Sequence, residues 1–74
     1  MIEKPRVVQF PDGLEVVAYE SPRGLRVDSW KVFKVEGNTL IEEQLDDPSP
    51  KLRTKRFSSI EKLRRAVLKE LGRK

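Results

Sequence analysis

The chain has no cysteine and no histidine in 74 residues. That removes disulfides, cysteine-rich zinc sites, thiol nucleophiles and imidazole acid-base catalysis together, since each needs one of those two side chains. Glycine is nearly as scarce. Gly13, Gly24, Gly37 and Gly72 stand apart in turn-like settings, so no glycine-rich phosphate loop is present. Carboxylates alone can hold magnesium, and a nuclease-type site places an acidic residue two positions before a lysine. The residues two places before the eight lysines are Ile2, Ser29, Val32, Ser49, Arg53, Ile60, Val67 and Gly72, none of them acidic. No metal, cofactor or catalytic residue is expected, and the chain does not read as an enzyme.

Long apolar runs are missing as well. No segment approaches the roughly 18 apolar residues of a membrane span, and Met1-Ile2-Glu3-Lys4-Pro5 lacks the apolar core of a secretory signal. A cytoplasmic protein with no membrane role is expected. Asn, Gln and Met are scarce while 38% of residues are charged, a balance that hot environments favour because ion-pair networks gain value there. A thermophilic source is expected from it. The length fits a single domain, residues 1–74, and a chain so short buries only about 60% of the surface it exposes when unfolded, which leaves little room for a deep substrate cavity.

What is present is a separation of charge. Residues 1–50 carry six basic and ten acidic groups, a balance of −4, whereas residues 51–74 carry ten basic and two acidic groups, a balance of +8. Clustered like charges repel in the compact state, so a division of this size points to an anionic partner.

The acidic half reads as strands and turns. Arg6-Val7-Val8-Gln9-Phe10 is β-branched and aromatic, and Pro11-Asp12-Gly13 supplies a reversal. In Leu14 to Glu20, Leu14, Val16 and Ala18 share one face, and Glu15, Val17 and Tyr19 the other. Ser21-Pro22-Arg23-Gly24 is the next turn. From Leu25 to Val35 the apolar alternation changes phase near Asp28-Ser29 and again at Val32-Phe33, which implies a bulge or bend at each place. Glu36-Gly37-Asn38 then closes a hairpin onto Thr39 to Leu45. The expected class is α+β: a small antiparallel meander of four to five strands over 1–45, with one C-terminal amphipathic helix packed on it.

Asp46-Asp47-Pro48-Ser49-Pro50 reads as a loop over 46–50. Residues 51–57 read as a basic extended segment, either a fifth strand or an ordered arm, with Lys51, Arg53, Lys55 and Phe57 on one face. The helix is expected over 58–72. Ser58-Ser59-Ile60-Glu61 has the form of a capping box from Ser58 to Glu61, and Gly72 suits a left-handed exit. Ile60, Leu63, Val67 and Leu71 form its apolar stripe, opposite Lys62, Arg65, Lys69 and Arg73.

The candidate site follows from these placements. Lys51, Arg53, Lys55 and Arg56 lead into the helix start, and Lys62, Arg65, Lys69 and Arg73 continue along it. Nucleic-acid phosphates repeat at short spacing, so such a row gains affinity by releasing condensed counterions. Trp30, Tyr19 and Phe33 admit stacking on bases, with core packing the favoured reading of all three; Trp30 is the one assigned to stacking if any of them is exposed. The expected function is a small basic protein binding DNA or RNA, with contacts to phosphate and not to base edges. A protein-interaction or regulatory module is the alternative, self-association of acidic sheet and basic helix into a homodimer included. The order of antiparallel sheet then helix, with Lys55-Arg56-Phe57-Ser58-Ser59-Ile60-Glu61 at the junction, loosely resembles integrase arm-binding and plant AP2-type domains over residues 25–71. It resembles as loosely the single-strand binders of the transcriptional-coactivator type. The resemblance implies DNA as partner, read by the sheet; here the strands between 25 and 45 are acidic on balance, and the cations lie after them.

Overall fold

In the computed structural model, which describes residues 2–72, four strands form one antiparallel sheet in the order β1-β2-β3-β4. The strands are β1 (Lys4–Gln9), β2 (Leu14–Ser21), β3 (Gly24–Glu36) and β4 (Thr39–Gln44), followed by α1 (Pro50–Arg53) and α2 (Ile60–Glu70). The meander is the one the turn residues announced. Gly13 and Gly24 are the turn positions that tolerate least change: both have positive φ, 80° and 118°, and an added Cβ would run into the carbonyl oxygen of Phe33 at the first and of Phe57 at the second.

Alternation sorts the side chains. Val8, Leu14, Val16, Ala18, Val27 and Val32 are buried on one face of the sheet, in one cluster with Leu52 of α1, Phe57, and Leu63 and Val67 of α2. Leu63 and Val67 are completely excluded from solvent. Eleven residues are marginal as a free helix in water, so this burial supplies most of what holds α2 in place.

The first phase change is a β-bulge. Val17 pairs with Ser29 and Ala18 with Val27, which leaves Asp28 as the extra residue. The second is not a bulge, because β3 and β4 pair without interruption from Lys31 opposite Gln44 to Glu36 opposite Thr39. Beyond Val32 the inner positions of β3 are the exposed Lys34 and Glu36, with Ile41 opposite Lys34, while Phe33 and Val35 lie on the outer face. Val35 and Leu40 pair there and remain largely exposed.

Two expectations about the junction are corrected. Residues 51–57 are not a fifth strand. Ser49 caps α1 by accepting the Leu52 amide at 3.2 Å, and Pro50 takes the first helical position, where its missing N–H costs nothing. The Ser-Pro pair that reads as a loop is thus a helix start. Strand character in this segment is confined to a single bridge, in which Leu25 and Phe57 exchange two backbone hydrogen bonds of 2.8 Å.

The capping residue of α2 is Ser59, not Ser58. Its backbone is extended (φ −150°, ψ 159°), and its hydroxyl accepts from the Lys62 amide at 3.2 Å. Both polar groups of Phe57 are held by Leu25 and Ser59 is still extended, so the helix starts one residue later than the Ser58 cap implies. Glu61 then contributes as a first-turn negative charge and makes no reciprocal cap. Gly72 takes the expected left-handed conformation, with φ 70°.

Candidate nucleic-acid interface

The cationic residues fall into two groups that the sequence does not separate. The first surrounds a cleft. Leu52 is buried and fixes α1 against the core, which places Lys51 and Lys55 toward the last turns of α2. Together with Leu52, Ala66, Lys69 and Glu70 they line a surface cleft of about 330 Å³. Glu70 brings a carboxylate to this cleft, but that carboxylate is engaged. It accepts the Ser49 amide at 2.9 Å and the Ser49 hydroxyl at 2.6 Å, which ties the start of α1 to the end of α2. Among the described residues, no ion pair is formed by Lys51, Lys55 or Lys69.

The second group is a network of arginines and carboxylates. Arg26 donates from Nε and Nη2 to the two oxygens of Glu3 at 3.1 and 3.0 Å, and Arg56 adds Nη1 to the same carboxylate at 3.3 Å. Asp28, the bulge residue, lies 3.9 Å from both Arg26 and Arg53. The Arg26 guanidinium also stacks 4.9 Å from the centre of the Tyr19 ring, its cross-strand neighbour. Glu3 titrates below the ordinary carboxylate range, first because of the Arg26 hydrogen bond; partial loss of hydration opposes this shift and Arg56 adds to it. Of the four cations expected in one row, Arg53 and Arg56 therefore face carboxylates contributed by the acidic half.

The remaining candidates are dispersed. Lys62 and Arg65 are exposed on α2, and the Lys62 ammonium donates to the Ser58 hydroxyl at 3.0 Å. Arg73 lies outside the described residues. The stacking role assigned to Trp30 is corrected: the residue is 8% exposed, belongs to the core, and its indole N–H donates to the Asp46 carbonyl at 2.7 Å. A large ring next to the bulge fills the core, and the carbonyl satisfies its one polar atom.

Sequence reasoning missed Arg26 and Glu3. Arg26 was within reach of it, because a two-residue turn at Pro22-Arg23 makes Ser21 face Gly24 and therefore Tyr19 face Arg26. Glu3 carries no such signal, since its partners lie 23 and 53 residues away. Arg64 is a further cation that the helix reading left without a role. It lies 4.8 Å over the Phe10 ring and closes the edge of the core.

Among the described residues, no group of acidic side chains is placed to hold a metal ion, and no helix is long and apolar enough to cross a membrane. No protein-family model, curated protein or solved structure matches the chain. The functional reading rests on the side chains themselves.

Proposed function

We propose that this chain is a small, non-enzymatic nucleic-acid-binding protein that contacts phosphates through residues 51–57 and the C-terminal helix. The observation that carries the proposal is the cleft of Lys51, Lys55 and Lys69. Lys51 of α1, Lys55 just after it and Lys69 of α2 line it together, while the single carboxylate in that lining is occupied by Ser49. Like charges held together cost free energy unless an anion joins them, and a polyanion with closely spaced phosphates fits several at once. Lys62 and Arg65 extend the same chemistry along the exposed side of α2, and Arg53 and Arg56 flank it from the carboxylate network. Such contacts position a strand and carry no base information. We place the protein in the cytoplasm, and its composition fits a thermophilic source.

The second reading, a protein-interaction module, has its own observation. On the face of the sheet away from α2, Val7, Val35 and Leu40 are 54%, 72% and 64% exposed. Exposed apolar side chains on an uncovered sheet face suit a protein partner, including a second copy of the chain. Gel shifts against single- and double-stranded DNA and RNA at two salt concentrations, run beside sedimentation of the protein alone, separate the two. Retardation that weakens with salt supports the first reading. Concentration-dependent sedimentation with no retardation supports the second.

A further inference from the structure

We propose that Arg26 and Arg56 form a second phosphate-binding clamp, closed in this structure by the chain's own Glu3 carboxylate. The Nε and Nη2 atoms of Arg26 meet one oxygen each of Glu3, at 3.1 and 3.0 Å. This is the forked arrangement with which a guanidinium binds carboxylate and phosphate alike. Arg56 supplies a third donor from a different element, at 3.3 Å. A carboxylate offers two oxygens to these three donors, so two of them share Oε2; a terminal phosphate group offers three.

The surroundings favour exchange of the anion over a fixed staple. Arg26 is positioned without Glu3, because Tyr19 stacks on its guanidinium and Asp28 lies 3.9 Å from its Nη1. Arg56 follows directly from Lys55 and precedes Phe57, whose bridge to Leu25 fixes the backbone there. Glu3, by contrast, precedes β1 and pairs with no strand, and about a third of its side chain is open to solvent. The clamp is thus built into the fold, and its occupant is carried on the segment that the sheet does not hold. Glu3 and an external phosphate then compete for the same donors, so each lowers the apparent affinity of the other. That the phosphate belongs to a nucleic acid rests on the function proposed above; the clamp itself requires only a phosphate.

The test is Glu3→Gln, followed through the Nε–Hε resonances of Arg26 and Arg56 while inorganic pyrophosphate is added. The expected result is saturable movement of both resonances in the variant, at an apparent affinity at least tenfold tighter than in the unaltered protein, and loss of that gain in Glu3→Gln/Arg56→Gln. Equal responses in the two proteins, or no movement in either, overturn the clamp. If Glu3→Gln loses its native amide spectrum, Glu3→Ala repeats the test; unfolding of both makes Glu3 a structural staple and overturns the clamp too. In a parallel titration with a 20-nucleotide single strand, the released clamp should steepen the log-log salt slope by about 0.7 for each phosphate gained. A pyrophosphate response with no strand binding by either protein retains the clamp and rejects the nucleic-acid reading.

Discussion

Lys51 and Lys55 differ from Arg53 and Arg56 in a way that alternate spacing along one short segment conceals. The two lysines open onto a cleft with Lys69, where no carboxylate pairs with them among the described residues, whereas the two arginines meet Asp28 and Glu3. Density of charge along a chain therefore overstates how much of it is available to a partner. The residue types follow the chemistry: guanidinium groups share the carboxylates of the acidic half, and compact, well-hydrated ammonium groups serve as open positive charge.

The bluntest way to erase the difference is to remove the helix that forms one wall of the cleft. Leu63→Asp would place an unpaired charge at a site with no solvent access, and loss of the folded state is expected, read as loss of cooperative thermal unfolding by circular dichroism. A native melting profile would show that α2 does not depend on this contact.

Neutralising the two groups separately sharpens the comparison. Exchanging Lys51, Lys55 and Lys69 together for Gln should weaken strand binding by one to two orders of magnitude at low salt, with melting temperature nearly unchanged, since exposed charges contribute little to stability. Exchanging Arg53 and Arg56 for Gln should weaken it far less, because the carboxylates already offset those charges. Fluorescence-anisotropy titrations at one salt concentration rank the two variants, and the reverse order would break the comparison.

The boundary between the groups depends on where α2 starts. Ser59→Ala should cost roughly 0.5 to 2 kcal/mol, the usual value of an N-cap, while Ser58→Ala should stay within about 0.5 kcal/mol. Denaturant midpoints decide it, and a larger cost at Ser58 would restore the earlier start.

Acid provides a smaller effect confined to the arginine group. The carboxyl of Glu3 has a folded-state pKa below its unfolded value of about 4.3, so the stability it adds is present above that value and is lost as pH falls through the folded one. The unaltered protein should melt above Glu3→Gln at pH 7, and the two should converge as the pH falls through the lowered folded-state pKa of Glu3. A difference that stays constant across the whole acid range would show that the charge of Glu3 is not what matters.

The strands were legible because each of their signals is local. Pro11-Asp12-Gly13, Ser21-Pro22-Arg23-Gly24 and Glu36-Gly37-Asn38 all mark turns, and the loss of alternation at Asp28 marks the bulge. The same locality explains the errors. Phase alone does not distinguish a bulge from a stretch whose inner positions become charged and exposed, which is what happens after Val32. Ser49-Pro50 has the form of a loop and of a helix start, and the tie from Ser49 to Glu70, 21 residues later, favours the second. Trp30 shows the limit for function: an aromatic beside a lysine looks available for stacking until the packing of the core and the Asp46 carbonyl account for it. Of the candidate site, the composition was legible. Its division into open lysines and held arginines was not, because Glu3 and Asp28 reach those arginines from distant parts of the chain.

On the proposed function, the lysine cleft, and not the arginine pair, contacts phosphate in the unaltered protein. The slope of log affinity against log salt for a duplex, compared between the unaltered protein, Lys51/Lys55/Lys69→Gln and Arg53/Arg56→Gln, separates the two surfaces. Each phosphate contact contributes about 0.9 to that slope, so the lysine variant should be flatter by about 2.7 and the arginine variant by less than about 0.9. A flattening shared equally by the two variants, or binding that ignores salt altogether, would contradict the account.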